Sequence, residues 1–587
     1  MDDAALRRST LWVATLAVFF AFLNTSIVLI SLPAVFRGLH LDPLEPGNLG
    51  YLLWLLTGYL VVTSVLVVLG GRLGDVFGRA RMFTLGFGIF TVGALLAGLT
   101  PSHGGTGAVE LIVFRCVQGV GGALLAANSV ALVVDVYPTH RRGAAVGITQ
   151  VAAIAGSFLG LLVGGLVADH SWRAVFLLNV PVGVIGTVWA KRSLHDKHES
   201  KKVGLDPWGN VLFAIGLVGI LTAMTYGIQP YGGHITGWTS PFVLTCLLGG
   251  IAVLGLFYAV ERRVANPLVD FRLFRSRAFS MGNAAGFFGA LARGGQQFML
   301  VIWLQAIWLP RHGYSFHDTP LWAGIYLLPM SVGFMLAGPV SGSLSDRFGA
   351  RAFASGGMLV CSATFIGLML MPANFPLWLF FLLLALNGIG FGMFSSPNAT
   401  AVMNAVPAAA RGAASGIRSM AMNSGQVLSI GLFMTLLVLG LAGSLPQKLH
   451  AGLVGAGVPE AIAAHASAAP PVSSVFAAFL GYDPVQTVLG PQNVQALPAS
   501  VRAHVEAHSF FPDAIGPAFM NGIIVVFTLA AIVCFISAIA SLLRGGRFVA
   551  DELDPERAPL EEPDAPGLLG DVIDEPAIGG GAIGARA

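Results

Sequence analysis

The chain has 587 residues, of which 55% are hydrophobic and 10% charged, with a formal net charge of +3 at pH 7 and a mean hydropathy of +0.78. A soluble globular domain carries about 25% charged residues, so this composition excludes a soluble enzyme or nucleic-acid binder and predicts an integral membrane protein. Cys116, Cys246, Cys361 and Cys534 all fall within apolar runs, which argues against a disulfide framework or a Cys/His metal site; no metal and no cofactor are expected.

In chain order, Arg7 and Arg8 precede an apolar run to about residue 35, too long for a signal-peptide core of about 7 to 15 residues. It reads as a first span. A crossing helix needs about 20 apolar residues, and that rule gives fourteen spans, at approximately 11–35, 49–69, 82–100, 109–135, 143–167, 174–192, 208–228, 241–260, 279–308, 321–340, 353–372, 376–398, 412–443 and 519–543. An even count places both termini on one side. Lys and Arg gather in cytoplasmic loops; with the amino terminus inside, Arg72, Arg79, Arg81, Arg141, Arg142, Arg347, Arg351, Arg411 and Arg544 are among the many internal charges, and only Arg37, Arg173, Arg311, Lys448 and Arg502 fall outside. Residues 444–518 form a long external segment of short amphipathic helices and turns. From about Asp551, "DELDPERAPLEEPDAPG" is acidic and Pro-rich, the pattern of a disordered cytoplasmic tail.

Internal repetition organises the rest. Gly71, Leu73, Asp75, Phe77 and Gly78 match Gly342, Leu344, Asp346, Phe348 and Gly349; "PTHRRGAAVGI" from Pro138 matches "PAAARGAASGI" from Pro407; "QGVGGA" from Gln118 matches "NGIGFG" from Asn387. The offset is nearly constant. It implies two six-helix bundles, residues 1–192 and 279–548, separated by residues 193–278 with two inserted helices and followed by the tail from 549. Parallel repeats of this kind are the plan of rocking-bundle transporters.

"GGRLGDVFGRAR", "FRCVQGVGGA", "WRAVFLLNVPVG" and "ERRVANPLVDFRLFRSRAF" together resemble the signatures of the major facilitator superfamily, in particular its fourteen-spanner drug:proton antiporter branch. The resemblance covers nearly the whole chain outside the tail. It implies an all-α membrane protein with the major facilitator fold, alternating access, and multidrug efflux coupled to protons. Two departures stand out: Asn24 occupies a first-span position where that branch typically has an aspartate, and Leu161 a fifth-span position where the antiporter motif has a proline.

Two sets of candidate residues follow. The first is a conformational latch in the charged turns: Gly71, Gly74, Asp75, Gly78, Arg79 and Arg81, with Asp346, Gly349 and Arg351 as a weaker copy. The glycines allow close backbone approach, and Asp75 is expected at a helix start, where the dipole favours an anion. The alternative is that these cations only fix topology. The second set is a substrate cavity. Ionisable residues inside a bilayer are expensive and mark pathways, and those well inside the spans are Arg115, Arg293 and Arg418. Glu110, Asp135 and Asp169 sit at span ends. With Asn24, Gln118, Asn128 and Gln150 in the first half, and Asn283, Gln296, Gln297, Asn387, Asn423 and Gln426 in the second, the three arginines predict a cationic, amide-rich cavity. Such a cavity suits anionic, zwitterionic or neutral amphiphiles, and the lack of a carboxylate inside the spans opposes a conventional proton relay. Structural helix–helix hydrogen bonding is the competing role for the amides.

A phosphate-cradling pump loop is absent from the sequence, and the histidines are scattered; no enzyme is expected. The sequence therefore predicts a plasma-membrane exporter of amphipathic compounds, with a carrier of lipid-like or anionic amphiphiles lacking proton antiport as runner-up and a scaffold as the third reading. Its partners are a small substrate, the bilayer and, by resemblance, protons; no nucleic acid is expected, and the chain is read as a monomer.

Overall fold

The computed structural model describes residues 3–42, 45, 48–137, 142–168, 170–194, 206–229, 231–232, 236–264, 267–316, 318–407, 411–467, 480 and 484–545, with the backbone alone at some of them, including Gln150 and Asp346. The expected tail and Asp169 lie outside the described residues.

Long apolar segments in a bilayer must satisfy their backbone N–H and C=O groups internally, which makes each of them a helix. The first half contains α1 (Asp3–Gly38), α2 (Asn48–Phe77), α3 (Arg79–Gly98), α4 (Gly104–Val136), α5 (Arg142–Ala168), α6 (Trp172–Leu177) and α7 (Asn179–Ser193), the last two forming one broken span. The inserted pair is α8 (Pro207–Gly227) and α9 (Pro241–Glu261), each opening with proline at its first helical position, where a missing N–H costs no hydrogen bond. The second half contains α10 (Arg277–Trp303), continued by a π-helical stretch (Leu304–Trp308) and α11 (Leu309–Arg311). Then follow α12 (Thr319–Tyr326) and α13 (Leu328–Phe348), together one span, α14 (Ala350–Met369), α15 (Leu377–Asn404) and α16 (Arg411–Ala442).

Thirteen described helices, counting each broken span once, are long and apolar enough to cross a membrane. The difference from fourteen is α10, which carries Asn283, Arg293, Gln296 and Gln297 and is too polar to qualify by composition. It lies against α15 and α16.

Among the described residues the 444–518 segment holds α17 (Leu445–Gly455), α18 (Glu460–Ser467) and three shorter helical turns before the final helix, α19 (Phe510–Leu543). Leu445, Leu449 and Leu453 form the buried stripe of α17. The last helix begins nine residues before its expected start at 519. Pro512 and Pro517 mask this in the sequence: Pro512 lies in the first turn, where a backbone N–H has no intrahelical partner anyway, and Pro517 lies inside the helix. Asp513 on that early turn pairs with Arg311 at 2.7 Å and so ties the segment to the end of the α10 run.

Within the first half α1 packs on α5, and α4 on α2 and α3; within the second α13 and α14 pack on α15, and α10 on α16. Small residues make these contacts close, as they do generally between membrane helices. A Cβ added at Gly156 of α5 would meet the Phe19 carbonyl of α1, and one at Gly388 of α15 would meet the Met330 carbonyl of α13. Among the described residues the halves meet along α2 and α16 and where α12 and α13 pack on α5. Gly416 of α16 faces Val68 near the Asp75 end of α2, whereas Gly165 and Gly324 bring α5 and α12 together, against Leu321 and Leu161, near the other end. The inserted helix α8 lies along α2 and α16, across the seam between the halves.

Gly156→Ala should lower the thermal midpoint in detergent by several degrees, since the added methyl meets backbone; Gly249→Ala, with open space around it, should leave the midpoint unchanged.

Candidate functional site

The charged turn is an ion network. Asp75 stands in the last turn of α2 and Arg79 opens α3, with Gly78 between them at φ 100°, a conformation open to glycine and costly for other residues. Arg79 Nε and Nη2 donate to Asp75 Oδ1 at 2.9 and 2.8 Å, and Nη1 donates to both Asp135 oxygens of α4 at 2.8 Å. One guanidinium therefore joins α2, α3 and α4. This corrects the expectation for Asp75: it lies at a helix C-terminus, where the dipole disfavours an anion, and the Arg79 side chain compensates it. Asp135, expected only at a span end, is the missing member of the set. Arg81 is exposed.

The glycines have separate tasks. Gly71 faces Ala127, and Gly74 leaves room for Asn128, whose Oδ1 a Cβ would strike. Asn128 Nδ2 donates to the Leu124 carbonyl at 2.8 Å and across to Gly70 of α2 at 3.2 Å. It fastens α4 to α2. In the second half Gly349 repeats the turn at φ 88°, but the repeat offsets put Ala350 where Arg79 stands and Asn404 where Asp135 stands. Arg351 is exposed, and the side chain of Asp346 lies outside the described residues. The backbone device is duplicated; the arginine bridge is not.

The cavity candidates divide into three groups. Arg115 and Gln118 are buried and joined, Nη1 donating to Oε1 at 2.9 Å, with the guanidinium 4.9 Å from the Tyr59 ring centroid on α2; Arg115 Nε and Gln118 Nε2 are buried without a partner. A second group is bonded between helices: Asn24 Oδ1 accepts from Asn179 of α7 at 3.4 Å. Gln296 donates to Asn387, and Asn387 to Thr364, each at 2.8 Å. Asn283 bonds its own helix at the Phe279 carbonyl at 2.9 Å. Gln297, Asn423 and Gln426 are half-buried, and the side chain of Gln150 lies outside the described residues.

The third group shares an open space. Arg293 of α10 and Arg418 of α16 line a cavity with Phe334, Phe391, Phe394, Asn398 and Met422, and its volume is about 30 Å³, roughly the share of one water molecule. The Arg293 guanidinium lies 4.5 Å from the Phe334 ring centroid, and Arg418 Nε has no partner. A further cation stands behind Asn398: Arg544, 5% exposed, bonds Asn398 Oδ1 and leaves Nε and Nη1 unpartnered. Burial lowers its pKa to about 10, so it stays charged at neutral pH. In the sequence Arg544 looks like a loop cation; its burial arises from packing on Gly282 and Asn398. A larger groove of about 630 Å³, lined by Tyr51, Glu110 and Phe114 among others, includes Val109 and Val113, about half exposed, and opens sideways from α4.

The structure also holds buried carboxylates that the span boundaries concealed. Asp206 and Glu261, at the ends of α8 and α9, are 4% and 2% exposed. No group of three or more His, Cys, Asp or Glu side chains suited to a metal occurs among the described residues.

Paired helical bundles, duplicated glycine turns and a small cavity in which two arginines meet phenylalanines are the features of a multi-pass membrane transporter. A family model described as "Major Facilitator Superfamily" matches residues 14–228 and 207–430, and the chain belongs to that family. It is similar to the tetracenomycin C resistance and export protein of Streptomyces glaucescens, 27% identical over 94% of each chain. The methylenomycin A resistance protein of Streptomyces coelicolor is 31% identical over 61% of this chain and 71% of its own, and the multidrug resistance protein Stp of Mycobacterium tuberculosis 28% over 78% and 80%. Among solved structures, a bacterial homologue of the human drug peptide transporters superposes with a TM-score of 0.52 at 15% identity, over 92% of this chain and 98% of that one, which shows the fold.

If the Arg79 bridge acts by geometry, Arg79→Lys should lower the thermal midpoint nearly as much as Arg79→Ala, by a few degrees, the shift expected for about 1 kcal/mol in a partly exposed network. If the residue only supplied charge for topology, Lys would match wild type. Arg351→Lys should change nothing.

Proposed function

We propose that the protein exports amphipathic compounds across the plasma membrane by alternating access, with both termini cytoplasmic. The observation that carries this reading is the cavity between α10, α13, α15 and α16. It holds Arg293 and Arg418, its volume is about that of one water, and α13 and α16 are also helices through which the second half meets the first. Separation of the halves would move two walls of the cavity and open it. The relatives named for antibiotic resistance and export support the substrate class.

The charge set favours cargo with an anionic or strongly hydrogen-bond-accepting group beside an apolar body. Arginine supplies a planar fork of donors to such a group, and phenylalanines beside it accept the apolar part. This also supports the second reading, a carrier of lipid-like or anionic amphiphiles without classical proton antiport. The latch reading gives Arg79, Asp75 and Asp135 the task of stabilising the packing in which the Asp75 end is closed.

Reconstituted protein should transport an anionic amphiphile faster than a dicationic one of similar size. Arg418→Gln should reduce anion uptake about tenfold or more, on the scale of removing one charge-assisted contact, and reduce neutral uptake less. Equal losses for all three charge classes would remove the charge-selection reading; no flux of any compound under any gradient would favour a scaffold.

A further inference from the structure

The inserted helices carry a feature that the transport reading does not use. Asp206 caps α8: its Oδ1 accepts from the Gly209 N–H at 2.8 Å. Glu261 closes α9, and its Oε2 accepts from the Val269 N–H at 3.2 Å. The remaining oxygens, Asp206 Oδ2 and Glu261 Oε1, are buried and have no hydrogen-bond partner. Both point at one spot. A Cβ on Gly209 would come within 3.0 Å of each of them, so the absent side chain of glycine is what lets two carboxylates share one niche.

An ionised carboxylate offers only acceptors, and a buried acceptor left bare costs about 1–3 kcal/mol, more when charged. Two such groups side by side in a low-dielectric site also repel. A single proton answers both difficulties, because it supplies the missing donor and removes one charge. A metal ion is a poorer occupant, since two carboxylates alone supply too few of the 6–8 oxygens that calcium takes.

The surrounding charges connect the niche to α2. Arg72, one turn before Asp75, interacts electrostatically with Glu261, Asp206, Asp75 and Asp270. Asp270 is itself paired with the exposed Arg272 at 3.0 Å. Arg262 and Arg263 follow Glu261 and are exposed, and Lys201 and Lys202 precede Asp206 outside the described residues. Arg72 is therefore the cation that α2 contributes, and α2 is also the helix that meets α16 across the seam.

We propose that Asp206 and Glu261 form a proton-binding site, sharing one proton, that sets how firmly the inserted helix pair holds Arg72 on α2. Without the proton the niche carries two negative charges and attracts Arg72; with it the attraction falls, and α2 is freer to part from the inserted pair. Acidification on this side thus favours release and alkaline conditions favour attachment. The site itself stands apart from the export reading; its effect on transport rests on that reading.

Infrared spectroscopy of the full-length protein in lipid nanodiscs, titrated from about pH 5 to about pH 9, tests the site, because ordinary Asp and Glu side chains are ionised above about pH 5. The wild type should keep a protonated-carboxyl band at neutral pH, and Asp206→Asn and Glu261→Gln, which preserve the caps and shape, should each remove it at an unchanged thermal midpoint. Gly209→Ala should shift the band by forcing the two oxygens apart. No band at neutral pH in the wild type, or a band that survives both substitutions, overturns the site, whether or not any tested compound is carried. In vesicles, Glu261→Gln should abolish the effect of a pH gradient on uptake while leaving substrate-gradient flux. Loss of the band with gradient dependence intact would overturn the control of transport.

Discussion

The Arg79 guanidinium, shared between Asp75 and Asp135, is the interaction on which the rest of the arrangement depends. It closes the turn at Gly78, fixes the angle between α2 and α3, and holds both against the end of α4. An exposed ion pair is worth little alone. A single planar group with five donors, engaging two carboxylates on two further helices, instead specifies one relative position of three helices. Because α2 also packs on α8 and α16, whatever fixes α2 fixes the seam between the halves.

The two halves share a backbone plan and differ in charge. The glycine turn recurs at Gly349, whereas alanine and asparagine replace Arg79 and Asp135. Polar groups in the first half mostly bond one another, as Arg115 does with Gln118 and Asn24 with Asn179. In the second half Arg293, Arg418 and Arg544 gather around Asn398. The first half thus carries the arginine bridge and the second the small cavity lined by arginines.

Much of this was legible in the chain. Apolar length gives the spans because a bilayer leaves the backbone no other conformation, and the repeated glycine turns give the two-bundle plan because a helix break with positive φ leaves a fixed residue signature. What escaped depends on distance in sequence or on burial at helix ends. Asp135 is 56 residues from Arg79, so no local pattern joins them. Asp206, Glu261 and Arg544 look like solvated span ends and become buried only when α8, α9 and α19 dock. Asp75 was expected at a helix start because acids favour that position; a four-residue spacing to arginine proved the stronger constraint. Asn128, an apparent cavity amide, instead fastens α4 to α2, which only the facing Gly70 carbonyl reveals.

In the proposed export cycle the halves close at two ends that open in alternation, with α2 as the moving contact. Double electron–electron resonance on two spin-label pairs tests it most directly, one pair on the outer surfaces of α2 and α16 near Val68 and Gly416, the other on α5 and α12 near Leu161 and Gly324. Alternating closure requires two distance populations for each pair, shifting in opposite directions when an amphiphilic substrate is added. Distances that lengthen together at both ends, or a single unchanging population at each, would contradict it.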